Sequence, residues 1–214
     1  MTLRRHADIL SRVAAYYAAK LAEHGPSPKG VDWKDRDSHT LRHRQFLILF
    51  GNCFDASILD LGCGFGDFLA FLRDEGYSGV YIGYDVAPAM IEAARRLHGE
   101  APDRQWRIGA EPQETADFAI ASGIFNVKGA ISDDIWSRYV RDTIDTLART
   151  SQRGFGFNIL SLASDPERRR PDLYYADPAD MLAYCQTRFG RDVTLLRDYG
   201  LYEFTVIVRH RGGI

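Results

Sequence analysis

The chain is poor in cysteine: Cys53, Cys63 and Cys185 are the only three in 214 residues, and none stands in a C-x-x-C pair. An odd number without metal-type spacing argues against a disulfide framework and a thiolate zinc site. It suits a reducing compartment, so the cytoplasm is the expected location. Long hydrophobic runs are lacking too. The apolar-rich segment after Arg4 and Arg5 is interrupted by Arg12, Lys20 and Glu23 before it reaches membrane length, so neither a signal peptide nor a transmembrane helix is expected. Nor is charge of one sign in excess: 27 Lys and Arg stand against 29 Asp and Glu, a net charge of −2, which argues against a global basic surface for nucleic acid. Internal repeats and low-complexity tracts are absent. What remains is a chain long enough, and at 45% hydrophobic residues apolar enough, to bury the core of one domain with an elaboration.

The most informative stretch is Ile58-Leu59-Asp60-Leu61-Gly62-Cys63-Gly64-Phe65-Gly66-Asp67, a short apolar strand running into three glycines at every second position. Glycine there lets the backbone turn sharply after a strand and removes the Cβ atoms that would keep a ligand off the main chain. The next residues, Phe68-Leu69-Ala70-Phe71-Leu72, have helix-like apolar density, so the loop opens a helix whose first amides face that ligand. Nineteen residues beyond Gly66, Tyr81-Ile82-Gly83-Tyr84-Asp85 reads as a second strand ending in a carboxylate, suited to a ribose diol. A dinucleotide fingerprint needs G-x-G-x-x-G. Here the spacing is G-x-G-x-G and Asp67 follows, where its charge would repel a pyrophosphate.

An apolar strand, an acid at Asp60 and G-x-G-x-G resemble the first motif of the class I S-adenosylmethionine (SAM) dependent methyltransferases. The resemblance runs from about Asp55 to the C-terminus and implies a Rossmann-like α/β fold: a mainly parallel sheet with one antiparallel C-terminal strand and helices on both faces. The chain's own pattern agrees. A helix is expected over residues 3–23 and a second, capped by Ser38, through about Phe50. Strands at 57–61, 80–84, 105–108, 117–121 and 154–160 then alternate with helices at 67–75, 88–98 and 133–149. Val193-Thr194-Leu195-Leu196-Arg197 and Tyr202 through Val208 are joined by a connection short enough only for antiparallel pairing. Residues 1–54 are expected as a helical lid, 55–214 as the cofactor domain, and about 161–178 as a substrate-side insertion.

The resemblance implies SAM as cofactor, with S-adenosylhomocysteine (SAH) as product; no metal is expected, since no core histidine or metal-ligand cluster is evident in the sequence. It places Gly62, Gly64 and Gly66 against the methionine part of SAM, Asp60 near its ammonium group, Asp85 on the ribose diol and Met90 near adenine. The common Gly-Asp after the third strand is replaced by Ile108-Gly109-Ala110-Glu111, leaving two alternatives for adenine, the amides around Ala110 or the Glu111 side chain. Ser122, Phe125 and Asn126, after the fourth strand, are expected to face the methyl donor and the acceptor.

An Asp/Asn-Pro-Pro-aromatic string for flipped bases is missing, which turns the reading from nucleic acid toward a small-molecule acceptor methylated at oxygen or nitrogen, in a biosynthetic role. The alternatives are another SAM chemistry, aminocarboxypropyl transfer or cyclisation, and a non-catalytic SAM-binding module. Acceptor groups are sought outside the generic core. Tyr174 and Tyr175 stand either over the active site or as a packing pair, and Asp177 as a helix cap. Trp33 is read as closing over the cofactor or anchoring its loop. Arg44, placed with Leu41 and Ile48 on an inward helix face, holds either the SAM carboxylate or a protein acid. His39 and His43, one turn apart, are the histidines to test as a base, against a solvated helix face. A homodimer is allowed for; a membrane partner is not expected.

Overall fold

The computed structural model describes residues 6–190 and 192–210, so the first residues of the expected 3–23 helix lie outside the described part. β1 (Ile58–Leu61) is buried at all four positions and lies between β2 (Tyr81–Asp85) and β4 (Ala116–Ala121), parallel to both. A strand covered on both faces needs apolar side chains throughout, which Ile58, Leu59 and Leu61 supply; Asp60 is the exception. β3 (Arg104–Ile108) extends the sheet beyond β2, and β5 (Ser151–Ser161) beyond β4. With β8 (Glu203–Arg209) and β7 (Val193–Leu196) beyond β5, the strand order is β3-β2-β1-β4-β5-β8-β7, so the direction of winding reverses at β1. In an open sheet of this kind the crevice outside the carboxyl ends of β1 and β4 is where ligands bind.

β7 (Val193–Leu196) and β8 (Glu203–Arg209) form the expected hairpin, and β8 runs antiparallel to both β7 and β5. β5 starts at Ser151, earlier than expected, because Ser151 pairs with Ala116. Within the 161–178 segment, β6 (Tyr175–Ala176) adds parallel to the end of β5, and Leu173 bridges to Val127.

α2 (Arg36–Phe50), α3 (Asp67–Asp74) and α4 (Pro88–His98) cover one face, where Phe46, Phe68 and Ile91 meet Ile58, Tyr81 and Trp106. α5 (Asp133–Thr150) and α6 (Pro178–Phe189) cover the other, with Trp136, Ile144 and Met181 against Leu59, Phe155 and Phe157. α1 (Ala7–His24) joins the two sides: Ile9 packs into the α5 side and Leu21 against Phe65, Ala87 and Met90. α2 is capped by Asp35, whose carboxylate accepts from Ser38 N at 2.8 Å, and not by Ser38 as expected; Ser38 is the donor. Asp177 does cap α6, accepting from Ala179 N at 2.7 Å. No helix among the described residues is long and apolar enough to cross a membrane.

Candidate functional site

A cavity of about 900 Å³, counted with its open mouth, lies at the carboxyl ends of β1, β2 and β4. Its floor is the glycine loop. Gly62 has φ 84°, and a Cβ there would lie 2.1 Å from Ile124 Cγ2. Gly66, at φ 85°, is the N-cap of α3, and a Cβ would meet Trp106 Cη2 at 2.6 Å. Both positions therefore demand glycine on two counts, a left-handed backbone and the absence of space. Gly62 and Gly64 line the cavity itself, while Gly66 starts the helix behind it.

Two buried carboxylates flank this loop. Asp85 Oδ2 accepts from Gly64 N at 2.9 Å and Oδ1 from Ala87 N at 2.8 Å, tying the loop to the end of β2. Burial pushes its pKa up to about 6 against the pull of those amides. Asp60 is 2% exposed. Tyr81 donates its hydroxyl to Asp60 Oδ2, while Oδ1 is buried with no partner among the described residues. Burial raises this carboxyl to about 7, opposed by the Tyr81 hydrogen bond and reinforced by the charge of Asp85. An orphaned buried acceptor costs about 1–3 kcal/mol, so a donor arriving from the cavity recovers that cost.

The remaining walls come from several elements. Met90 is buried and faces the cavity from α4, and Gly109 and Ala110 line it after β3. Of the two alternatives at 108–111, the backbone around Ala110 is therefore at the wall, and Glu111 is not among the lining residues. Ser122 and Gly123 line it after β4; Gly123 N donates to Asn158 Oδ1 at 2.6 Å. Trp33 lies over Gly123, and the roof continues through Val31 and the α1 residues Leu10, Val13 and Tyr17. His39, His43 and Asp67 form one wall, with His39 Nδ1 3.1 Å from Asp67 Oδ2. Burial holds the His43 pKa well below its ordinary value, so neither ring is on a solvated helix face; His39 is 5% exposed and His43 3%.

Besides Gly66 and Glu111, five expected site residues lie off the cavity wall. Phe125 is fully buried, its ring packed on Phe157 and Tyr139, because the apolar core claims it before the cavity can. Asn126 does not line the cavity; its buried Oδ1 has no partner among the described residues, and its backbone oxygen accepts from Tyr174 N at 2.8 Å. Tyr174 packs into the core with Met181, and the Tyr175 hydroxyl accepts from Arg170 N at 3.1 Å. Tyr174 thus follows the packing alternative, and neither tyrosine lines the cavity. Arg44 is not on an inward face: its side chain is 61% exposed and pairs with a protein acid, the second of its two expected partners, Glu75 at 3.5 Å, since α2 buries His39, Arg42, His43, Phe46, Leu49 and Phe50 and leaves Leu41 half-buried and Arg44 and Ile48 exposed.

The buried arginine is Arg42. Its Nε donates to Glu203 Oε1 and Oε2 at 2.7 and 2.8 Å, and its guanidinium stacks 3.5 Å from the Trp33 ring centre. Glu203 also accepts from Tyr199 Oη and Asn158 Nδ2, at 3.2 and 3.4 Å. The spacing of His39, Arg42, His43, Phe46 and Leu49 is the signal that locates Arg42; Glu203, 161 residues away, leaves no local trace.

A model of the methyltransferase domain family matches residues 59–149. Rv1506c of Mycobacterium tuberculosis, a protein named as a methyltransferase, is 45% identical over 154 residues, 72% of this chain and 92% of that protein. The structure of DhpI with SAH superposes with a TM-score of 0.63 at 15% identity, over 95% of this chain and 98% of that one. Human N-acetylserotonin methyltransferase in complex with SAM does so with a TM-score of 0.57 at 14% identity, over 98% of this chain and 70% of that one.

Proposed function

The chain belongs to the class I SAM-dependent methyltransferases, and from that membership we propose that it methylates a small-molecule acceptor at oxygen or nitrogen inside the cavity beneath α1 and Trp33. The observation that carries this reading is the roof. Leu10, Val13 and Tyr17 of α1, with Val31 and Trp33, cover the carboxyl ends of the strands, so an acceptor has to fit beneath them. A polymer would need an open groove and, for nucleic acid, a basic one, whereas the net charge is −2.

The lining residues fit SAM. The orphaned Oδ1 of Asp60 suits a cationic donor such as an ammonium group, and Asp85 at the end of β2 suits the ribose hydroxyls. Met90 and the backbone at Gly109 and Ala110 suit a flat purine, and Ser122 and Gly123 approach the reacting end. When bound, SAM supplies a methyl group already activated on a sulfonium. The protein's task is then alignment and exclusion of water, which Trp33, Tyr17 and Val13 perform by closing the site. In this reading residues 1–54 serve as the lid of a 55–214 cofactor domain, and the 161–178 insertion braces the end of β4 through the Tyr174–Asn126 backbone bond.

Calorimetric titration with SAM and SAH, beside NAD, tests the cofactor assignments: micromolar binding of the sulfur nucleosides is expected, lost in Asp85→Ala. Incubation of the SAM complex with pools of small metabolites, RNA and protein then tests the acceptor. SAH released only with the small-molecule pool supports the proposal. Methyl incorporation confined to RNA or protein refutes it.

A further inference from the structure

The wall made by His39, His43 and Asp67 is not explained by packing alone. His39 and His43 stand four residues apart on α2, so both rings project from one face, a spacing that suits a pair of metal ligands. Asp67, the first residue of α3, brings a carboxylate to the same point, and the donor atoms of all three lie within 4.8 Å of one another. His39 Nδ1 is buried 3.1 Å from Asp67 Oδ2, an ion-pair distance, with no well-aligned hydrogen bond to any described residue. Two ligands of one metal have this relation. With bonds of about 2.0–2.2 Å, adjacent donor atoms lie about 3.0–3.4 Å apart while their lone pairs converge on a third point. The rings are held in place by apolar neighbours: His39 packs on Trp33, and His43 on Phe68 and Phe71 at 5.0 and 5.4 Å.

We propose that His39, His43 and Asp67 bind one first-row divalent cation, Zn²⁺, Co²⁺ or Mn²⁺, at the wall of the cofactor cavity. Two imidazoles and one carboxylate fill three positions of such an ion and leave the others open, and all three residues line the cavity, so the open positions are within reach of its contents. The sequence reading expects no metal; the cluster appears only when α2 packs on α3. Resting on the methyltransferase reading above, the site assigns an oxygen acceptor. A hydroxyl coordinated there releases its proton to water at lower pH than in solution. Its oxygen lone pair forms the new O–CH₃ bond as the C–S bond breaks, and the C–S electron pair neutralises the sulfonium.

The test needs neither SAM nor acceptor, so it can fail while the methyltransferase reading stands. Protein stripped with a chelator is titrated with Zn²⁺ by calorimetry, and with Co²⁺ while the imidazole proton resonances of the six histidines are followed. The expected result is one ion per chain at micromolar affinity or better, with His39 and His43 perturbed first. Binding should weaken at least tenfold in His43→Ala and in Asp67→Asn, both checked for native circular dichroism. Because the Co²⁺ experiment uses the unaltered chain, an unfolded variant does not leave the question open. Absence of stoichiometric binding, perturbation of other histidines first, or affinity within threefold of wild type in a folded His43→Ala overturns the proposal.

Discussion

Removing Glu203 should unsettle both the fold and the cavity, and the two effects can be separated. Its carboxylate is 1% exposed and is the acid partner of Arg42, whose side chain is 5% exposed. Glu203→Ala leaves a buried guanidinium without its counter-charge, a loss of about 3–5 kcal/mol. For a chain of this size that lowers the melting temperature by about 6–20 °C. Burial raises the Glu203 pKa despite Arg42, so the pair bears a desolvation cost that an apolar pair would not. Arg42→Met/Glu203→Leu should therefore recover most of the lost stability. It should not recover cofactor affinity. Arg42 stacks 3.5 Å from the Trp33 ring centre, and Trp33 roofs the cavity. Losing a cation–π contact of about 0.5–2 kcal/mol frees the indole and should weaken SAM about 2- to 30-fold. Thermal melts and calorimetry on the wild type and both variants provide the check. A Glu203→Ala melt within about 2 °C of wild type, or a double variant no more stable than the single, refutes the reasoning.

Two further outcomes follow from the cavity walls. Because burial lifts Asp85 to about 6, its folded-state pKa lies above the unfolded one, so the stability it contributes is full below about pH 4 and is lost as pH rises through about 6. Ribose binding wants the carboxylate, so SAM affinity should run the opposite way and fall at least tenfold from pH 7 to pH 5, more if Asp60 also protonates; a flat calorimetric profile would contradict the assignment. Gly123→Ala places a Cβ 2.3 Å from Trp33 Cζ2 at φ 76°. Strain of about 1–2 kcal/mol should lower the melt by about 2–8 °C, and the displaced indole should weaken SAM binding; unchanged SAM affinity would show that Trp33 does not close the site.

The strand-loop-helix at 58–74, the carboxylate ending β2 and the antiparallel hairpin were legible because each is written in consecutive residues: apolar runs, glycines at turns, a connection too short to cross over. Asp60, Gly62, Gly64, Asp85, Met90, Ala110, Ser122, Trp33 and His39, candidates from the sequence, line the same cavity, while Gly66 and Glu111 do not. The errors share a different cause. Arg44 reads as inward because α2 has apolar residues on both sides, Leu41 and Ile48 on one and Phe46, Leu49 and Phe50 on the other, and local pattern does not say which side the sheet will cover. Phe125, Asn126, Tyr174 and Tyr175 were placed by their nearness in sequence to the end of β4 or to the insertion, but the directions of their side chains depend on the turn at Gly123 and on the bridge of Leu173 to Val127.

By itself, then, the sequence determined the order of strands and helices, the glycine loop and the carboxylates around it, because backbone turns and strand ends are governed by neighbours along the chain. Only the tertiary structure decided which face of α2 is buried. That choice pairs Arg42 with a glutamate 161 residues away and brings two histidines onto an aspartate of another helix. Burial and charge pairing act through space, and the free energy of placing a cation or an imidazole out of water is set by partners that no local window contains.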